Sequence, residues 1–288
     1  MNKAAAKIVF IFCIFKQKFW SLKTGIIMFL LYFVMYVFLA PIKQFSIASD
    51  YKSSPWIFPF LITNMYFLFT FMTFVVYYFS NVPFMQKWGM YQMIRIGRMR
   101  WAFVQMISIF LSALGFIIIA ILLSIVCLIP QIQLESGWGK VIYSLALTDA
   151  SEQYMIPVDF RYEFIKSSTP IEAMVQTLLI GCLVITFLGM IMFAASICFN
   201  RLCAILTAMI FVVMPIVTEN MAYFIRKLPW FSPISWLRVT RIGGKDFDWG
   251  IMPDSSFIIG ALIIMIISLS IIILWRVRTV DFQWNSED

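Results

Sequence analysis

Six long apolar stretches, separated by short polar or charged segments, constrain this chain more than any other feature of its sequence. Each is close to the roughly 20 residues that an α-helix needs to cross the hydrocarbon core of a bilayer. Backbone groups in lipid must bond internally, and the strict alternation of a membrane β-barrel is absent. The stretches are Thr24–Ala40, Trp56–Phe79, Trp101–Ile129, Ala173–Phe199, Leu202–Thr218 and Phe257–Trp275. They predict an all-α integral membrane protein with six transmembrane helices.

The composition limits the chemistry that such a chain can perform. Hydrophobic residues make up 62% of it and charged residues 12%, with a mean hydropathy of +0.91. It contains no histidine, which is the commonest general base and the commonest metal ligand. The glycine-lysine sequences at 137–140 and 243–245 lack the spacing of a phosphate-binding loop. We therefore expect no enzymatic activity and no catalytic, cofactor or metal site in this chain.

The distribution of lysine and arginine predicts the orientation of the spans. Five lysines, from Lys3 to Lys23, precede the first span, whereas only Lys43 and Lys52 follow it before the second. Cytoplasmic segments carry an excess of basic residues. The N-terminus, the loop Phe84–Arg100, the turn at Arg201 and the C-terminal tail are therefore predicted to be cytoplasmic.

The segments between the spans predict a single transmembrane domain with two special regions. Residues 1–23 predict an N-terminal helix in the inner interface, anchored by Phe19 and Trp20, with a retained signal-like anchor as the alternative. Residues 226–241 mix prolines, aromatics and bases before the last span, and predict a re-entrant outer segment. The predicted order is 1–23 interfacial helix, 24–129 spans one to three, 130–172 extracellular segment, 173–218 spans four and five, 219–256 outer re-entrant segment, 257–275 last span and 276–288 cytoplasmic tail.

The inner loop between the second and third spans predicts a short amphipathic helix. Its basic stripe at helical spacing consists of Lys87, Tyr91, Arg95 and Arg98. Apolar residues, among them Met93 and Ile96, fall on the opposite side. The stripe suits a docking helix for a cytoplasmic partner, and the alternative is a basic interfacial helix that only sets topology.

Polar residues inside spans are costly in lipid and therefore mark candidate functional positions. We predict that the second and fifth spans face a partner half and line a pathway. The candidates are Asn64, Phe67, Thr70 and Phe71 on the second span and Met209, Val213 and Glu219 on the fifth. Hydrogen bonding between helices is the alternative for Asn64, and lipid exposure is the alternative for the phenylalanines. For Glu219 the alternatives are a structural ion pair, with Arg226 or Lys227 near in sequence, and an interfacial residue without a specific role.

Taken together, these features resemble the membrane subunit of an ABC-2 type (type V exporter) ABC transporter. The matching features are the interfacial helix Lys3–Lys23, the basic loop Phe84–Arg100, the tight inner turn Asn200–Arg201 and the sequence Pro229–Trp236 between the last two spans. The outer segment Pro130–Glu172 is longer than in many members, which leaves the substrate class open. The broken central helices of many secondary transporters are not visible in this sequence.

This resemblance implies a half-transporter in a bacterial plasma membrane, with both termini in the cytoplasm. A second permease half, identical or different, would complete the pathway. Separate cytoplasmic ABC ATPase subunits, which bind ATP and Mg, would dock on Phe84–Arg100 and the N-terminal helix. The expected substrate is a peptide, an antimicrobial or a lipid-like molecule, and nucleic acid is not an expected partner. The alternative is a non-transporting polytopic membrane protein, such as a bacteriocin immunity or assembly factor.

Overall fold

A computed structural model describes residues 19–80, 93–221, 224–242 and 251–279 of the chain. In these ranges the regular structure is helical, apart from one β-bridge between Ser53 and Ile132. In chain order the helices are α1 (Leu22–Ala48), α2 (Phe58–Thr63), α3 (Met65–Phe79), α4 (Arg98–Leu128), α5 (Gly139–Leu147), α6 (Ala150–Gln153), α7 (Tyr162–Ser167), α8 (Pro170–Cys198), α9 (Arg201–Met221) and α10 (Ser255–Thr279). Between α9 and α10 lie 3-10 helices at Leu228–Phe231, Ser235–Leu237 and Val239–Arg241.

Five of these helices, α1, α4, α8, α9 and α10, are long and apolar enough to cross a membrane. They correspond to five of the six predicted spans, and most of their ends lie within a few residues of the predicted ones. The prediction of an all-α chain is thereby confirmed, with five helices of membrane-spanning length and composition. The predicted interfacial helix 1–23 lies almost entirely outside the described residues.

The first span is longer than predicted, because Pro41 does not end it. Helix α1 continues through Pro41 to Ala48. A proline inside a helix removes one backbone hydrogen bond. The packed face of α1 nevertheless continues beyond it, since Ile42 and Phe45 are both buried. The expected termination at Pro41 is therefore wrong, and burial on this face outweighs the lost hydrogen bond.

The second predicted span is not one helix. It divides into α2 and α3 at Asn64, whose backbone is extended with a ψ of 127°. Helix α3 has only 15 residues and falls short of the length that a membrane crossing requires. The prediction of an unbroken helix over Trp56–Phe79 is therefore wrong at Asn64. The second predicted span is therefore a broken helix of the kind found in many secondary transporters, and this break was not visible in the sequence.

Helix α8 lies at the centre of the fold and packs against α4, α9 and α10. Glycine allows α8 to approach α4 closely at two positions. A Cβ atom at Gly189 would lie 2.6 Å from Cγ2 of Ile109 on α4 and 3.2 Å from Cζ of Phe79 on α3. A Cβ atom at Gly181 would lie 2.9 Å from Cδ1 of Ile117. Since real Cβ contacts are essentially never shorter than 3.0 Å, the absence of a side chain at Gly189 and Gly181 lets α8 pack closely against α4.

Hydrogen bonds between helix ends define two ends of the molecule. At one end, which we call the basic end, Lys23 Nζ donates to Ser80 Oγ at 2.8 Å and Arg201 Nε donates to Ser80 O at 2.9 Å. At the other, which we call the loop end, Lys43 Nζ donates to Ile129 O at 2.7 Å. Segments that the charge distribution assigned to one side of the membrane therefore lie together.

Candidate functional site

The break between α2 and α3 is held by the side chain of Asn64. Its Oδ1 accepts hydrogen bonds from the backbone N–H groups of Tyr66 and Phe67, both at 3.0 Å. Its Nδ2 donates to the carbonyl of Pro157 in the 130–172 segment. Asparagine is a favoured N-cap because its side chain satisfies amides that the first turn leaves free. Asn64 therefore starts α3 and ties the break to the loop end.

The same break leaves groups at the end of α2 available for hydrogen bonds with residues far away along the chain. The last carbonyls of a helix have no partner within that helix. Arg238 Nε donates to the carbonyl of Thr63 at 2.9 Å, and the Thr240 hydroxyl donates to the Thr63 hydroxyl at 2.9 Å. Both donors belong to the region between α9 and α10. This region is thus bonded directly to the break in the second span.

The residues Ser232–Arg241, which we call the buried outer segment, are all buried. Most of them form short 3-10 turns rather than an α-helix. Trp236 Nε1 donates to the carbonyl of Pro229 at 2.9 Å, and the Ser235 hydroxyl lies 3.2 Å from the Thr218 hydroxyl on α9. Hydrogen bonds within residues 229–241 and to α9 therefore satisfy polar groups of a stretch that is removed from solvent.

Three charged side chains meet where α9 reaches the buried outer segment. Arg238 Nη1 lies 2.9 Å from Glu219 Oε2, and Arg241 Nη1 lies 3.4 Å from Glu219 Oε1. The exposed fractions of these side chains are 10% for Glu219, 3% for Arg238 and 9% for Arg241. We call this group the ion cluster. It connects α9, the buried outer segment and, through Arg238, the break after Thr63.

The ion cluster carries a net positive charge, since one carboxylate faces two guanidinium groups. Burial lowers the pKa of Arg238, and the charge of Glu219 opposes that effect. The pKa of Arg241 falls to about 10, first because of burial and then because of the nearby charge of Arg238. With a pKa of about 10, Arg241 therefore remains charged at neutral pH. Buried charges of this kind depend on their partner for stability.

The structure places the predicted pathway residues in three different environments: a hydrogen-bonded network at the loop end, partly or fully exposed positions on α3 and α9, and the interior of the chain. Asn64 and Glu219 lie at the loop end and are joined through Thr63 and Arg238. Thr70 is partly exposed, and its hydroxyl donates to the carbonyl of Tyr66 in its own helix. Met209 is partly buried on α9, whereas the side chain of Val213 is 39% exposed.

Phe67 and Phe71 lie inside this chain rather than on its surface. Both are fully buried. The Phe67 ring contacts Phe38 of α1 with a centroid distance of 5.6 Å, and the Phe71 ring contacts Phe116 of α4 at the same distance. These two rings therefore hold α3 against its neighbours, and neither faces a second half or lipid.

The predicted coupling stripe is only partly described, since Lys87 and Tyr91 lie outside the described residues. Arg95 and Arg98 are both exposed at the basic end. They do not share one helix, because Gly97 has a φ of +89° between the turn 93–96 and α4. A positive φ suits glycine and interrupts a right-handed helix. The prediction of one continuous stripe is wrong at this point.

The sequence did not point to the partners that Glu219 has in the structure. It suggested Arg226 or Lys227, which are close along the chain but exposed, whereas the structure uses Arg238 and Arg241. The sequence shows the basic residues that follow Trp236, but nothing in it distinguishes them from Arg226 and Lys227 as partners of Glu219. Comparison of the chain with protein-family models, with curated proteins and with solved structures finds no match. Function is therefore inferred from the arrangement of helices and side chains.

Proposed function

We propose that this chain is the membrane-spanning permease half of an ATP-driven ABC exporter, powered by a separate ATPase subunit that binds ATP and Mg. The observation that supports this most strongly is the buried outer segment, Ser232–Arg241, between the two last apolar helices. Its bonds to Thr63 and Glu219 hold it in the body of the protein. The resemblance to ABC-2 permeases implies re-entrant helices at this position.

In this proposal α2 and α3 together form a sixth crossing. Trp56 precedes α2 and donates to the carbonyl of Glu135 at the loop end, at 2.9 Å. Ser80 follows α3 and accepts from Lys23 and Arg201 at the basic end. Placed end to end, the residues from Phe58 to Phe79 extend about 33 Å at 1.5 Å per residue. That length matches the roughly 30 Å hydrocarbon core of a bilayer.

The basic end faces the cytoplasm in this arrangement, as the lysine bias around the first span indicates. Both termini are then cytoplasmic, in a bacterial plasma membrane. The 130–172 segment and the buried outer segment lie on the opposite face. The ion cluster closes the outer side of the half-transporter, because it binds the buried outer segment to α9 and to the break in the second span.

The route for a peptide, an antimicrobial or a lipid-like substrate runs along the exposed face of α3 and α9, which pack against each other. Tyr66 and Tyr77 are 69% and 52% exposed on α3, with Thr70 between them along the helix. Val213 is exposed on α9. Aromatic surfaces with a few hydroxyl groups suit amphipathic substrates. A second half packs against this face to complete the pathway.

Reversing two charges at the basic end should weaken ATPase docking. In the double variant Arg95→Glu/Arg98→Glu, attraction to an acidic docking surface becomes repulsion. Exposed ion pairs contribute about 0–1 kcal/mol each, so the double reversal should lower ATPase retention by about tenfold. The measurement is the amount of ATPase that co-purifies with the tagged chain, normalised to the amount of chain in the membrane.

The matched control reverses two exposed lysines at the loop end, in the variant Lys52→Glu/Lys166→Glu. This variant has the same change in net charge and should retain the ATPase at the wild-type level. Unchanged ATPase retention and unchanged transport in the Arg95/Arg98 variant would show that these residues only rest on the membrane surface.

A further inference from the structure

A shallow, open cleft of about 380 Å³ lies at the basic end, where α4 begins and α10 ends. We call it the basic cleft, and its lining residues are Ile96, Gly97, Arg98, Met99, Arg100 and Arg278. We propose that the basic cleft binds the phosphate of an anionic lipid headgroup from the adjoining leaflet. Lipid binding here requires neither an ATPase nor a second half, although Arg98 is shared with the proposed ATPase-docking surface.

The charge of the basic end favours an anionic ligand. Its described residues carry seven basic side chains: Lys23, Arg95, Arg98, Arg100, Arg201, Arg276 and Arg278. No aspartate or glutamate occurs in the described parts of this end, which comprise residues 19–24, 77–80, 93–102, 196–204 and 274–279. Three of the seven side chains line the cleft, and all three are exposed. Guanidinium groups bind phosphate through paired hydrogen bonds.

The backbone of α4 adds to this positive potential. Gly97 is the N-cap of α4, and no side chain caps the first turn. The N-terminus of a helix has amide groups without intrahelical partners and carries the positive end of the helix dipole. Here that N-terminus forms part of the wall that also contains Arg98 and Arg100. Side chains and backbone therefore favour an anion at the same place.

The surroundings of the cleft indicate a lipid rather than a soluble anion. Trp275 lies three residues before Arg278 on α10 and is 66% exposed. Exposed tryptophans of membrane proteins lie at the level of the headgroups. Further along α10 the apolar side chains of Ile271 and Ile272 are also exposed. A lipid can thus place its phosphate in the basic cleft and its acyl chains along α10.

The test uses the full chain purified in a neutral detergent and titrated with phosphatidylglycerol or phosphatidylcholine of identical acyl chains. Native mass spectrometry counts the lipids that remain bound. We expect phosphatidylglycerol to be retained in preference to phosphatidylcholine. The double variant Arg100→Gln/Arg278→Gln should lower phosphatidylglycerol binding by about tenfold, since it removes two charge-assisted contacts. The variant Arg100→Lys/Arg278→Lys should restore only part of it, because lysine keeps the charge but cannot form the paired hydrogen bonds.

The matched control is Arg95→Gln/Arg276→Gln, which removes two charges from the same end without changing the lining of the cleft. It should bind phosphatidylglycerol at the wild-type level. Equal retention of both lipids, or an equal loss in the control, would reduce the site to general electrostatic attraction and overturn the proposal. Displacement of the lipid by millimolar inorganic phosphate would identify a site for free phosphate instead.

Discussion

Replacing Glu219 with glutamine should destabilise the folded chain by about 3–5 kcal/mol, the cost of removing one partner from a buried ion pair. The substitution keeps the size of the side chain but removes its charge. Arg238 and Arg241 then lie close together in a region of low exposure without the carboxylate that separates them. We expect the buried outer segment to detach from α9 as a result.

Thermal unfolding of the purified variant in detergent, followed by the loss of the monodisperse elution peak, measures this effect. Glu219→Asp keeps the charge and should lose much less stability. Glu163→Gln provides the matched control, because Glu163 is exposed on α7 at the loop end. If Glu219→Gln unfolds at the same temperature as Glu163→Gln, the ion cluster does not stabilise the chain.

Introducing a methyl group at Gly189 should also destabilise the fold, because this position of α8 packs closely against Ile109 of α4. The new Cβ atom would lie 2.6 Å from Cγ2 of Ile109. Cγ2 of Ile109 belongs to a β-branched side chain, which has few alternative rotamers in a helix and cannot easily move away. Overpacking of this kind costs about 1–3 kcal/mol. Gly189→Val should cost more than Gly189→Ala.

Gly260 on α10 is a matched control, since apart from its chain neighbours and the nearby backbone of α10 no atom lies within 4 Å of the position that its Cβ would occupy. Gly260→Ala should leave stability unchanged or raise it slightly, because alanine favours the helix more than glycine does. The same unfolding measurement applies to both glycines. Equal stability of Gly189→Ala and Gly260→Ala would contradict the close packing of α8 against α4.

The sequence was sufficient to predict those helices that coincide with long apolar runs. Long apolar runs, such as the one that became α8, predict a helix wherever the chain lies in lipid. The break at Asn64 was not predictable in the same way. A single asparagine in an apolar run is compatible with a continuous helix. Contacts that hold the break come from Pro157, 93 residues from Asn64 along the chain, and from Arg238, 175 residues from Thr63.

The ion cluster shows the same limit at the candidate site. Glu219 was recognisable as a costly acid at the end of a span. Its partners were not, because the chain first passes Arg226 and Lys227 and then folds back in 3-10 turns to bring Arg238 and Arg241 to the carboxylate. The coupling stripe failed at Gly97 for a local reason, since nothing in the spacing of Arg95 and Arg98 indicates a positive φ between them.

Purification of the tagged full chain from its native membrane tests the proposed function most directly. The mild-detergent eluate is assayed for ATP hydrolysis, and its proteins are identified by mass spectrometry. We predict that an ATPase with Walker A and B motifs elutes with the chain and that ATP hydrolysis exceeds that of an untagged control. The Arg95→Glu/Arg98→Glu variant should lower both by about tenfold. A chain that elutes without an ATPase and without ATP hydrolysis would contradict the exporter assignment and favour a non-transporting membrane protein.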